Sequence, residues 1–121
     1  MENQRYDLEE RLLDYSVRVI KIVEMLPNTK TGNHIAGQLL KSGTSPYPNH
    51  GEAQAAESQK DFVHKLSISL KELRESFRWL KLTHRIPLID NLELLNDIIN
   101  ETEELIKIFF KSIKTAGNKF K

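Results

Sequence analysis

Apolar residues recur every three or four positions along almost the whole chain, which is the spacing of one face of an α-helix. In the first segment this spacing is unbroken over residues 8–26. Leu13 and Ile20 lie beside the main row and widen it beyond the narrow stripe of a two-stranded coiled coil. Pro27 then ends the segment, because proline disfavours a helical conformation in the residue before it. The pattern predicts a first helix over residues 5–26.

Three further segments carry the same spacing. The start of the third has a capping signal, Ser58 followed three residues later by Asp61, and Asp90 or Asn91 caps the start of the fourth. The predicted helices span residues 32–56, 59–84 and 90–115, and a frayed tail is predicted over residues 117–121. Helices with mostly short connections predict an all-α fold, an antiparallel up-down-up-down four-helix bundle that forms a single domain over residues 1–121.

The second predicted helix is interrupted near its middle by two prolines, which lack the backbone N–H that a helix interior needs. Two interpretations are open. Ser45 caps a fresh start with Pro46 at the first helical position, or Asn49 and Glu52 form a capping box. Both predict a kink or a break between Thr44 and Asn49.

Composition narrows the function classes. Of the 121 residues, 39% are hydrophobic and 29% are charged, and the formal net charge is +1, which is ordinary for a soluble globular protein. The chain has no cysteine, so disulfides, thiol nucleophiles and cysteine metal sites are excluded and a reducing cytoplasm is compatible. No apolar run approaches the roughly 20 residues that span a bilayer. We expect a cytoplasmic protein with no membrane partner.

Candidate chemistry is sparse. Asp61 and His64 have the acidic-x-x-His spacing of carboxylate-bridged metal sites in helical bundles, but such sites need that spacing on two helices, and the chain has it once. No nucleophile elbow or glycine-rich phosphate loop is present. We therefore expect no metal, no cofactor and no enzymatic activity.

The third predicted helix carries a row of cations at three- and four-residue spacing, which places them on one face. We call this row the basic stripe; its members are Lys71, Arg74, Arg78, Lys81 and Arg85. Such a row suits phosphate groups or an acidic protein. The alternative is a solvated face, neutralised by Glu72, Glu75 and the acidic first half of the fourth helix.

The same helix has apolar residues on more than one side, which favours self-association. The candidate oligomer interface consists of Ile68, Trp79 and Leu82.

Several short elements, in this order and spacing between Leu12 and about Leu82, resemble the 23S rRNA-intervening-sequence proteins, a family also labelled S23 ribosomal proteins. These elements are Ser42-Gly43-Thr44-Ser45, Asn49, Glu52-Ala53, Asp61-Phe62, Lys65-Leu66-Ser67-Ile68, Leu70-Lys71-Glu72 and Trp79-Leu80. The resemblance marks Ser42, Ser45, Asn49, Glu52 and Asp61 as structural motif residues. Pro46-Tyr47-Pro48 departs from the family pattern.

The resemblance implies a cytoplasmic bacterial protein that forms an antiparallel bundle and assembles as a homopentamer. Some members of the family are encoded inside intervening sequences of large-subunit rRNA genes. A related branch serves diversity-generating retroelements and binds reverse transcriptase and nucleic acid, and the family has no established catalytic residues. We therefore expect a self-associating bundle, a homo-oligomer and by resemblance a pentamer. We expect it to bind structured RNA or an RNA-handling protein such as a reverse transcriptase through the basic stripe; the alternative is a purely protein-binding or structural adaptor with no nucleic-acid role.

Overall fold

The computed structural model describes residues 2–118, with side chains described from residue 7 to residue 117. Its helices are α1 (Glu2–Met25), α2 (Lys30–Thr44), α3 (Pro46–Gln54), α4 (Gln59–Arg85) and α5 (Leu92–Asn118). Because α2 and α3 are the two arms of one bent helix, the described chain is an all-α four-helix bundle, as the periodicity predicts.

The helices pack in the order in which they occur in the chain. α1 packs against α2, α3 and α5, and α4 packs against the same three helices. Within residues 2–118, α1 and α4 make no close backbone contact, so they lie across the diagonal of the bundle. The surfaces that α1 and α4 turn to solvent therefore face in opposite directions.

The core is a single apolar cluster with a polar centre. Its fully buried members include Leu12, Val19, Leu39, Leu73, Leu80, Leu95, Leu105 and Phe109. At the centre, the Tyr15 hydroxyl is hydrogen-bonded to Ser76 Oγ at 2.8 Å and to Thr102 Oγ1 at 2.7 Å. Thr102 donates its own proton to the Ile98 carbonyl oxygen, so Tyr15 donates to Thr102 and accepts from Ser76. This chain of hydrogen bonds joins α1 to α4 across the diagonal and to α5 beside it.

Burial raises the pKa of Tyr15, and the hydrogen bonds to Ser76 and Thr102 oppose that shift. The neutral phenol is the form that an apolar interior favours. Tyr15 therefore stabilises the centre of the bundle as an uncharged hydrogen-bonding group.

The bent helix changes direction at Ser45. Pro46 is the first residue of α3, as one of the two interpretations predicts, but the capping hydrogen bond expected from Ser45 is absent. Ser45 Oγ instead donates to the Lys41 carbonyl oxygen at 2.6 Å, because Ser45 keeps right-handed helical torsion angles, φ −68° and ψ −34°. The capping box from Asn49 is wrong: Asn49 lies inside α3 and its side-chain amide donates to the Ser45 carbonyl oxygen at 3.0 Å.

Backbone hydrogen bonds of the two arms meet at the bend. Ser45 N donates to Lys41 O and Asn49 N donates to Ser45 O, both at 3.2 Å. From the next helix, Ser69 Oγ donates to the Pro46 carbonyl oxygen at 3.2 Å. The two prolines therefore kink the helix without breaking it.

Close approach of α1 and α2 explains the small residues before the bend. A Cβ atom on Gly43 would lie 2.5 Å from Val19 Cγ1, which is far inside van der Waals contact. Ser42, beside it, is fully buried on the same helix. Small side chains at these positions let the two backbones come together.

The helix ends have the predicted capping residues, but the last helix is longer than predicted. Ser58 Oγ accepts from Asp61 N at 3.0 Å at the start of α4, and Asn91 Oδ1 accepts from Leu94 N at 3.0 Å at the start of α5. The predicted end at residue 115 was too early, because Ala116 is buried against the bundle and α5 continues to Asn118. The rest of the predicted frayed tail, residues 119–121, lies outside the described residues.

Candidate functional site

The basic stripe lies along the solvent face of α4. All five of its side chains are exposed, and none makes an ion pair or a side-chain hydrogen bond with another described residue. Lys81 Nζ lies 5.5 Å from the centre of the Phe77 ring, within cation–π range. At 1.5 Å per residue, the stripe from Lys71 to Arg85 is roughly 21 Å long.

The alternative interpretation names two acidic residues of α4, Glu72 and Glu75, as neighbours of the stripe. Glu75 Oε2 accepts a hydrogen bond from Trp79 Nε1 at 3.3 Å, and the Trp79 ring meets the His34 ring of α2 edge to face at 5.8 Å. Glu72 is half-buried, whereas every residue of the stripe is exposed. Neither carboxylate forms an ion pair with a stripe residue among the described side chains.

In the acidic half of α5, Glu101 turns to α1. Its carboxylate accepts from Arg11 Nε at 3.0 Å and from an Arg11 terminal nitrogen at 2.8 Å. This bidentate hydrogen bond raises the pKa of Arg11. Glu104 lies 3.8 Å from Lys107, on its own helix. Neither of these carboxylates is therefore paired with a residue of the stripe.

The residues expected at an oligomer interface have mixed environments. Trp79 is half-buried against the core and makes contacts within the bundle. Ile68 is also half-buried. Leu82 is the most accessible of the three, with 44% of its surface exposed.

A second apolar surface lies on the opposite side of the bundle, and sequence reasoning did not select it as an interface. Leu13, Val17 and Ile20 of α1 are 40%, 42% and 43% exposed. Their four- and three-residue spacing puts them on one face, and we call this the α1 apolar face. Leu40 of α2, also exposed, lies three residues before Gly43 and so beside the line of contact with α1. The signal was present in the sequence, because Leu13 and Ile20 widen the apolar row of the first helix.

The predicted motif residues form the bend and its surroundings. Ser42 is fully buried, while Ser45 and Asn49 make the local hydrogen bonds of the kink. Glu52 is exposed and accepts from Lys65 Nζ of α4 at 2.7 Å, which raises the pKa of Lys65. Asp61 donates its backbone N–H to the capping Ser58. The motif therefore shapes the corner where α2, α3 and α4 meet.

Asp61 and His64 do not belong to a metal-binding cluster. Among the described side chains, no three histidine, aspartate or glutamate residues come close enough together to share a metal ion. Likewise, no helix within residues 2–118 is both long and apolar enough to cross a membrane.

With this geometry in place, comparison with known proteins decides the family. The sequence model of the 23S rRNA-intervening sequence proteins matches residues 5–111. The chain belongs to this family. The family takes its name from intervening sequences of 23S rRNA and not from an enzymatic activity.

A solved structure supports the same assignment. A protein of unknown function from the S23 ribosomal protein family of Bacteroides thetaiotaomicron is 34% identical to this chain. The structural alignment has a TM-score of 0.81 and covers 88% of this chain and 98% of that one. No curated protein sequence matches the chain.

Proposed function

We propose that this protein is a non-enzymatic, self-associating helical bundle that binds structured RNA through the basic stripe. The observation that carries the proposal is the row of five exposed cations on α4 that have no anionic partner among the described side chains. Phosphate groups of a folded RNA supply the missing negative charge, and arginine side chains can bind phosphate in a two-pronged geometry.

Self-association would multiply the effect of one stripe. We propose that copies associate through the α1 apolar face, and the resemblance to family members gives a homopentamer as the expected number. Because α1 and α4 lie across the diagonal of the bundle, association through α1 leaves the stripe accessible. Several stripes on one particle would bind one RNA with increased avidity.

Salt dependence tests the RNA proposal directly. Each phosphate contact contributes about −0.7 to −0.9 to the slope of log affinity against log salt concentration, so five contacts give roughly −4 per copy. Affinity for a fluorescently labelled RNA hairpin is measured by anisotropy over a series of KCl concentrations. A flat salt dependence would overturn the proposal.

Charge reversal tests the location of the site. The double variant Arg74→Glu/Arg78→Glu should weaken RNA binding at least about tenfold and flatten the slope by about 1.5. The matched control is Lys30→Glu/Lys41→Glu, which makes the same change in net charge at exposed positions of α2. Equal losses in the two double variants would show a nonspecific charge effect and contradict binding at the stripe.

The alternative is a protein-binding adaptor, including one that binds an RNA-handling protein such as a reverse transcriptase. It is favoured by the exposed apolar side chains of Leu82 and Ile86, which alternate with the cations Lys81 and Arg85 at the end of α4. An acidic protein surface that also carries apolar side chains would complement both the cations and the apolar residues. In that case a captured partner survives nuclease treatment, and the hairpin binds weakly to the wild-type chain.

A further inference from the structure

A cleft lies at the end of the bundle where α1 begins and α5 ends. Its volume is about 950 Å³, and side chains of α1, α3, α4 and α5 line it. Clefts that hold small organic ligands have volumes of roughly 300–1,000 Å³ and combine apolar walls with a few polar groups. The basic stripe contributes none of the lining residues, so this cleft is a separate site.

The cleft has both polar and apolar lining residues, and the apolar part includes the Phe62 ring. Leu8 and Ile108 are half-buried on α1 and α5, and Ala116 is buried near the end of α5. Phe62 of α4 is half-buried and packs with its inner side against the core. Its position at the cleft lets its ring meet the face of a flat ligand, since every heterocyclic base has a π-face for stacking on an aromatic side chain.

Among the described residues that line the cleft, the charges nearly cancel. Arg11 lies on its wall, but Glu101 accepts two hydrogen bonds from the Arg11 guanidinium. The other charged residues of this described lining are Asp7 and Lys111, one of each sign. A ligand that is neutral over most of its surface fits these walls better than a small anion or cation.

Two glutamine side chains, Gln54 of α3 and Gln59 of α4, line the cleft. Each side-chain amide offers donors and an acceptor. Gln54 Nε2 lies 3.3 Å from His50 Nε2, and the buried His50 ring meets the Phe109 ring of the core edge to face at 6.0 Å. The Gln54 amide is therefore held by a side chain that is itself fixed in the core.

We propose that this cleft binds a planar nitrogen heterocycle of the nucleobase type, with its face against Phe62 and its donor–acceptor edge against Gln54 and Gln59. A glutamine amide matches such an edge by forming two hydrogen bonds at once. The heterocycle comes either from a free nucleoside or from an unstacked base of an RNA. The proposal goes beyond the RNA proposal for the basic stripe and does not depend on it.

Saturation-transfer NMR on the full chain tests the cleft with adenosine, guanosine, cytidine and uridine, and with ribose as the ligand control. At least one nucleoside should receive saturation at its base protons, and ribose should not. Gln54→Leu should weaken binding of that nucleoside at least tenfold, and Ser112→Trp should block it by filling the cleft. The matched control is Gln38→Leu on α2, which is half-buried and outside the cleft.

Two outcomes would overturn the proposal: no nucleoside binds, or Gln54→Leu and Gln38→Leu bind equally well while circular dichroism shows both folded. Competition distinguishes the two sources of the heterocycle. An RNA hairpin with an unpaired loop displaces the nucleoside if the natural ligand is an RNA base, and leaves it bound if the ligand is free. The Arg74→Glu/Arg78→Glu variant should keep nucleoside binding, which separates failure of this proposal from failure of the RNA proposal.

Discussion

The solvent faces of α1 and α4 lie at opposite corners of the bundle, and one is apolar whereas the other is positively charged. On α1, Leu13, Val17 and Ile20 leave an apolar surface in water. On α4, the cations of the stripe have no anionic partner among the described side chains. Each helix already has a buried row that holds the fold together, so neither outer face is needed for folding. The difference is consistent with the proposed division between one surface for copies of the chain and another for a charged partner.

The largest expected effect comes from placing a charge on the α1 apolar face. Ile20→Glu should lower the association constant of the oligomer at least about 100-fold, because burying an unpaired carboxylate in an interface costs several kcal/mol. Light scattering coupled to size exclusion should show a lower mass with unchanged helix content. The control is Ser67→Glu, at an exposed position of α4. A monomeric wild-type chain, or an unchanged mass for Ile20→Glu, would contradict association through the α1 apolar face.

The next largest effect is expected from a change in the core, which holds α1 and α4 in place. Tyr15→Phe removes the hydroxyl that joins α1 to α4 and α5, and leaves the buried Ser76 hydroxyl without its acceptor. We expect a loss of about 2 kcal/mol in the free energy of unfolding, measured by urea denaturation.

The folded fraction of Tyr15→Phe should still associate and bind RNA like the wild type, because both outer faces are intact. A selective loss of RNA binding would show that the hydroxyl acts on the stripe itself, and that the outer faces are not independent of the core.

A smaller loss of stability is expected from a change at the start of α4, which leaves α1 untouched. Ser58→Ala removes the cap of α4 and should cost about 1 kcal/mol, with association and RNA affinity unchanged because the stripe begins well beyond the first turn. Ser67→Ala is the control: Ser67 Oγ donates to the Val63 carbonyl oxygen inside the same helix, and its loss should be nearly neutral. Weaker RNA binding by Ser58→Ala would mean that the functional surface extends to the start of α4.

The smallest effect appears at alkaline pH. The pKa of Tyr15 is raised in the folded state by burial, so the folded chain holds the phenol proton more tightly than the unfolded chain. The stabilisation from this difference is complete below the ordinary tyrosine pKa near 10 and is lost as pH rises through the higher folded-state pKa.

Between about pH 10 and 10.5 the wild type should therefore lose at most about 0.7 kcal/mol more than Tyr15→Phe. Parallel urea titrations of the two proteins across this window measure the difference. Identical pH profiles would contradict the assignment of a buried, neutral phenol at the centre of the bundle.

Periodicity was sufficient to predict the bundle because each helix buries one row of apolar residues, and such rows are visible in sequence. Ser58 and Asn91 were identifiable as caps for the same reason: their hydrogen bonds reach only three residues along the chain. The stripe could be placed on one face of α4, but the sequence could not show which acidic side chains lie within ion-pairing distance of it. Glu101, for example, bonds Arg11 of α1, far away in sequence.

The bend and the cleft show where local sequence patterns are insufficient to predict the structure. Ser45 has the residue type of a cap, yet its hydroxyl bonds back to Lys41 because the chain stays helical there. His50 and Gln54 carry no sequence motif. They become part of a cleft only because four helix ends leave space around them, and no spacing within one segment encodes that space.

The bend at Ser45 also determines how the two arms of the second helix are coupled. Two backbone hydrogen bonds meet at Ser45, one from each arm, and Ser69 of α4 donates to the Pro46 carbonyl oxygen. Because Pro46 and Pro48 have no N–H with which to bond back into α2, α4 helps to hold the two arms together at this point. A displacement of α3, as on filling the space beside Gln54, would therefore reach α2 through α4 as well as along the backbone.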